Sequence, residues 1–154
     1  MSQSMVVTDC HKIFIGGTIA MITDEYSKAK TITLMTAEDT LKQFLNIQPD
    51  LIITDILLPA KHGESPQIST GIQLLKTLMK KYPHLNIMVQ SEHINNLIQI
   101  KSEIDEHQGG FVLANKSLGY AEILNRVKWC LQGLTHIQDI QKNSRKESAD
   151  DYTN

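Results

Sequence analysis

Five short apolar runs, separated by segments of helical spacing, constrain this chain more than any other feature of its sequence. They are Met5-Val6-Val7, Ile32-Thr33-Leu34, Leu51-Ile52-Ile53, Ile87-Met88-Val89 and Phe111-Val112-Leu113. Continuous runs of this length suit strands buried on both faces, as in a parallel sheet. Ile15, Ile19 and Ile22 share one face of a first helix, weakened at its start by Gly16-Gly17. Leu41, Phe44 and Leu45 mark a second, where Thr36 suits an N-cap with Asp39 reaching back. Ile72, Leu75 and Leu78 mark a third, ending before Pro83. Leu97, Ile100 and Ile104 mark a fourth, stopped by Gly109-Gly110. Ile123, Leu124, Val127 and Leu131 mark a fifth, with Gly133 just beyond. Alternation of this kind predicts one α/β domain, a doubly wound five-stranded parallel sheet with right-handed crossovers.

The 154 residues suffice for one such domain. The pattern fills residues 1–134, and residues 135–154 turn polar and charged, as a C-terminal tail or linker would. Ala60 to Thr70 is a polar loop, longer than the ~2–6 residues usual between strand and helix. Fifteen basic against seventeen acidic side chains give a net charge of -2. That balance speaks against a broad nucleic-acid surface and gives no reason to expect an anionic membrane. Cys10 and Cys130 form no CxxC pair, and neither a signal peptide nor a long apolar run is visible. A reduced, cytoplasmic protein is the expectation.

In an open parallel sheet, ligands bind beyond the carboxyl ends of the strands, where strand order reverses. The polar residues there are Asp9, Asp55, Ser91 and, shortly after the fifth run, Lys116. An order 2-1-3-4-5 makes strands one and three neighbours and sets Asp9 facing Asp55. Two close carboxylates call for a cation, and hard oxygen donors favour Mg²⁺. With Lys116 and Ser91 alongside, such a site suits a phosphoryl group.

The stretch from Pro49 to Pro59, with Asp55 four residues before Pro59, resembles the phosphoacceptor strand of response-regulator receiver domains. Asp9-Cys10-His11-Lys12-Ile13-Phe14 resembles the acidic start of receivers that precede helix-turn-helix output domains. Pro83 through Ser91 and Gly110 through Leu113 resemble the fourth and fifth strands, so that the likeness runs from about residue 5 to residue 134. The resemblance implies a flavodoxin-like fold. It makes Asp55 the acceptor of a phosphoryl group from a histidine kinase or phosphotransfer protein, with Asp9 and Asp55 holding magnesium. It makes Lys116 the phosphate-binding cation, Ser91 the switch hydroxyl and Phe111 the switch aromatic of a phosphorelay in transcription regulation. Homodimerisation is compatible with it, and no enzyme activity beyond self-phosphorylation and dephosphorylation follows.

Two registers stay open. Cys10 stands where receivers carry a second acid, unless a one-residue slip puts Asp9 there. Spacing from Phe111 places the lysine at Ala114, whereas Lys116 as the anchor puts Leu113 at the switch position and removes the aromatic. Lys116 points toward the site if the strand stays extended or a bulge delivers it; otherwise it is a solvated loop lysine. Ser91 has an alternative as a helix cap. Asp50 reads as a turn residue, Met79 and Met88 as core filler, and Trp129 as partly buried core or a dimer anchor. The six histidines show no paired zinc spacing. Cys10, Ala114 and the long loop motivate a second reading, a pseudo-receiver that acts as an interaction module without phosphorylation. A phosphatase or nucleotide enzyme is disfavoured, since Ile56-Leu57 follows Asp55 where a DxD pattern is needed and no GxxxxGK[ST] occurs.

Overall fold

The computed structural model describes residues 3–140. Its strands are β1 (Ser4–Thr8), β2 (Lys30–Leu34), β3 (Leu51–Thr54), β4 (Asn86–Ser91), β5 (Phe111–Asn115) and β6 (Thr135–His136). The helices are α1 (Lys12–Glu25), α2 (Ala37–Phe44), α3 (Ile68–Lys81), α4 (Lys101–Glu106) and α5 (Tyr120–Leu131), with a 3-10 helix over Ile94–Ile100 running into α4. All strands are parallel, in the order β2-β1-β3-β4-β5-β6. No described helix is long and apolar enough to cross a membrane.

The expected order holds, with one correction: the sheet has six strands rather than five. Gly133 adopts a positive φ of 80° after α5, which glycine tolerates without strain, and the chain turns back along the edge of β5. Thr135 and His136 then pair with Phe111 and Val112, and Ile140 is fully buried. The described chain thus continues in the fold past residue 134. Residues 141–154, the rest of the expected tail, lie outside the described residues.

Alternate side chains of each strand enter opposite layers, which is why the runs carry no polar alternation. Ile52, Ile87, Val89, Phe111 and Leu113 pack with Leu75, Leu78, Leu97 and Ile104 on one side. Met5, Val7, Ile53, Met88, Val112 and Ala114 pack with Met21, Ile22, Val127 and Cys130 on the other. Thr36 caps α2 as expected, its Oγ1 accepting from the Asp39 N–H at 3.1 Å. The fourth helical segment is split, 3-10 then α, yet Leu97, Ile100 and Ile104 are all buried. Helix α1 departs most from its pattern: Thr18, Met21 and Ile22 form its buried face, while Ile15 and Ile19 are only partly buried. The long loop is closed by an antiparallel bridge between Leu58 and Gln67.

Gly71 of α3 sits directly on the backbone that follows β3, where a Cβ would meet Ile56 O at 2.0 Å. Both walls are main chain, so Gly71→Ala must displace α3 or the strand-end turn. We expect a loss of ~1–3 kcal/mol, read as a lower urea midpoint at unchanged m-value. An unchanged midpoint would mean that α3 does not pack this closely.

Candidate functional site at the carboxyl edge of the sheet

β1 and β3 run in register to the pair Thr8–Thr54, so Asp9 and Asp55 leave the sheet side by side. Their own amides are still held by neighbouring strands: Asp55 N–H donates to Thr8 O at 3.0 Å and Asp9 N–H to Leu34 O at 3.1 Å. Asp55 Oδ1 accepts from the N–H groups of Ile56 (2.7 Å) and Leu57 (3.3 Å). That fixes the carboxylate plane and leaves Oδ2 directed away from the turn.

Lys116 resolves the register question. β5 stays extended through Asn115, which pairs with Ser91, so Ala114 is a core residue and Lys116, two residues on, emerges on the same face. Its Nζ lies 2.8 Å from Asp9 Oδ2 and 2.8 Å from Asp55 Oδ2, with all three side chains at most 6% exposed. The ring of Phe14 lies beneath it, 4.2 Å from Nζ to centroid. Burial lowers the Lys116 pKa, but hydrogen bonds and charge from Asp55 and Asp9 outweigh it, and the net shift is upward. One ammonium therefore joins two buried carboxylates.

Cys10 occupies the position after Asp9, its thiol donating to Leu57 O at 3.5 Å. Burial, then the charges of Asp9 and Asp55, push its pKa up, so the thiol is neutral near pH 7. His11 folds back over Asp9: its N–H donates to Asp9 Oδ1 at 2.8 Å, and its Nδ1 lies 3.0 Å from the same oxygen and 3.9 Å from Asp55 Oδ2. A cleft of about 110 Å³ opens here, bounded by His11, Phe14, Leu57, Glu92 and His93, with Asp55 and Lys116 in its lining.

Asp9, Asp55 and Lys116 are thus brought together. Ser91 ends β4 fully buried, and its hydroxyl accepts from the His93 N–H at 3.0 Å in the turn leading to the 3-10 helix, while its carbonyl accepts from Lys116 N–H at 3.3 Å. Phe111 is not brought to the site. It pairs with Ile87, four ladder positions before Ser91, and is fully buried with an edge contact to His107. Leu113 takes the position three residues before Lys116. Sequence reasoning did not single out His11 and Phe14 as site residues. The signal was their place in the first turn after a strand-end acid, where a helix begins directly over the sheet edge.

No protein-family profile matches the chain, and no curated protein matches it in sequence. Solved structures do match in fold. The RcsB response regulator of Salmonella typhimurium is 19% identical, with a TM-score of 0.70 over 98% of this chain and 69% of that one. A LuxR-family two-component response regulator from an Aurantimonas species is 18% identical, with a TM-score of 0.70 over 97% of this chain and 99% of that one. A CheY-like receiver domain protein from Methanospirillum hungatei is 17% identical, with a TM-score of 0.66 over 86% and 95% of the two chains. Sheet order, crossovers and these likenesses agree, and the chain has the fold of a response-regulator receiver domain.

Proposed function

We propose that this receiver accepts a phosphoryl group on Asp55 from a phosphohistidine of a partner kinase or phosphotransfer protein and relays it as a conformational change. The observation that carries this reading is the contact of Lys116 Nζ with Asp55 Oδ2 at 2.8 Å, with Asp9 on the far side of the same ammonium. Oδ1 is occupied by two backbone N–H groups, so Oδ2 is the attacking atom. It forms the O–P bond of an acyl phosphate as the P–N bond to the donor histidine breaks, and Lys116 offsets charge on the transferring oxygens. Relay is a shift between two packing states of the receiver.

The oxygens of Asp9 and Asp55 fit magnesium, which would be held by them and would supply further charge neutralisation. Cys10 adds only a soft, neutral thiol to that set. Restoring a second acid with Cys10→Asp is therefore expected to raise Mg²⁺ affinity about tenfold or more, measured by fluorescence or NMR titration. An unaltered or weaker affinity would show that position 10 does not face the metal.

Incubation with acetyl phosphate and Mg²⁺, followed by intact-mass measurement, tests the central claim. A gain of one phosphoryl group is expected in the natural chain and none in Asp55→Asn. No gain, or one that persists in Asp55→Asn, overturns it. Cys10, the engaged Ser91 hydroxyl and the remote Phe111 favour the second reading, a phosphorylation-independent interaction module. NMR shifts around Asp55 that stay fixed on adding Mg²⁺ would support that module, and a saturable local response would count against it. The likeness to RcsB, seen as dimers on DNA, adds a homodimer to the proposal, to be checked by light scattering.

A further inference from the structure

The residue that weakens a hard-oxygen site completes a different donor set. Asp9, Cys10 and His11 follow one another on the turn from β1 to α1, and their ligand atoms all lie within 4.8 Å of one another. Cys10 Sγ is 3.8 Å from His11 Nδ1, which is 3.0 Å from Asp9 Oδ1. A tetrahedral ion with bonds of about 2.3 Å to sulfur and 2.0–2.1 Å to nitrogen and oxygen holds such donors roughly 3.3–3.6 Å apart. These two spacings straddle that range and the third lies within 4.8 Å, so side-chain rotation at Cys10 and His11 is what closes the set around one ion.

Two further features single out this cluster. The Asp9 carboxylate is divided: Oδ2 is held by Lys116, while Oδ1 faces His11. A metal on Oδ1 therefore leaves the contact between Asp9 Oδ2 and Lys116 in place, while Lys116 Nζ, 3.4 Å from His11 Nδ1, gives up that second contact when the imidazole takes an ion. The His11 side chain is 49% exposed, which gives an ion a route in from solvent. Sulfur, imidazole and one carboxylate are a borderline-soft set that suits zinc-class ions, whereas Mg²⁺ takes oxygen and keeps its water.

We propose that Asp9, Cys10 and His11 form a binding site for a borderline-soft divalent transition metal of the zinc class, with its fourth position open to the cleft beside Asp55. On binding, the S–H bond of Cys10 breaks, the proton leaves to solvent and a sulfur–metal bond forms, with no change of oxidation state. The site does not depend on whether Asp55 accepts a phosphoryl group.

The test uses the full chain without phosphodonor, titrated with CoCl₂ and ZnCl₂ in the presence of excess MgCl₂. Co²⁺ is expected to bind one to one with a near-ultraviolet sulfur-to-metal charge-transfer band, and Zn²⁺ to displace it. Cys10→Ser should abolish the band. It and His11→Ala should each weaken Zn²⁺ binding by at least the ~10–100-fold that loss of an outer-shell partner costs. Because a variant can fail to fold, the natural protein is also alkylated with iodoacetamide and mapped by mass. Zn²⁺ should protect the Cys10 peptide, Cys130 being a separate, buried thiol. Absence of the band, a band that survives Cys10→Ser, or zinc binding undiminished in both variants with Cys10 unprotected would overturn the proposal.

Discussion

Replacing Lys116 by methionine is expected to cost about 3–5 kcal/mol of stability at neutral pH, the range for removing one partner of a buried ion pair. Methionine keeps most of the stem that lies against Phe14, so the loss is electrostatic rather than a cavity effect. What remains is two carboxylates, at most 6% exposed, with no ammonium between them. Added Mg²⁺ should then raise the urea midpoint of Lys116→Met more than that of the natural chain, because the variant's carboxylates have no competing ammonium. The alkaline limb gives an independent check. Folding raises the Lys116 pKa above 10.5, so the ammonium's contribution is fully present below 10.5 and is lost as pH rises through the higher folded value. Over that window the natural protein should lose stability that the variant never had, and the two stability curves should converge. Equal midpoints at pH 7, or curves that stay parallel into alkali, would show that Lys116 does not join Asp9 and Asp55 in solution.

The five apolar runs located the five long strands, but each strand extends one to three residues further. Thr8, Thr54, Ser91 and Asn115 enter the ladder through their backbone, which no hydropathy pattern reports. Strand-end position alone indicated Asp9 and Asp55, because a parallel sheet directs its carboxyl ends to one edge. Lys116 needed the pleat: only an extended strand through Asn115 turns it to the acids, and that same geometry carries Phe111 away from them. β6 left no signal, since two residues hold no apolar run and the strand exists only because Gly133 turns the chain onto an open edge. Ile15 and Ile19 misled in the other direction: of the three isoleucines expected on one face of α1 only Ile22 is buried, and Thr18 and Met21 complete the buried face. Arg126, on the buried face of α5, was invisible for a further reason: its partners lie across the fold, and helical periodicity says nothing of them.

Arg126→Ala is expected to cost about 3 kcal/mol and to release the segment from Thr135 to Ile140. Phe111 N–H donates to Leu134 O, so the odd-numbered residues of β5 turn their N–H and C=O groups toward β6. β6 pairs only with Phe111 and Val112, which leaves the Leu113 carbonyl beyond its reach. Arg126 Nη1 takes that place, donating to Leu113 O at 2.6 Å and to Asp139 Oδ2 at 2.9 Å, while Nε donates to Glu122 Oε1 at 3.2 Å. Arg126 is 7% exposed, so its loss strands a buried carbonyl and removes a charge-assisted bond worth ~1.5–3 kcal/mol. Asp139, with 30% of its side chain exposed, adds less, and Asp139→Asn should cost only about 0.5 kcal/mol. Arg126→Lys tests the geometry, since a single ammonium lacks the planar fork that serves Leu113 and Glu122 together. Amide hydrogen exchange reads the local effect: in Arg126→Ala, protection should fall from Thr135 to Ile140 and at Phe111 before it falls in β1 or β3. Uniform loss across the sheet would mean that Arg126 supports the whole core, and unchanged protection at the β6 edge would mean that backbone pairing and Ile140 hold the segment without it.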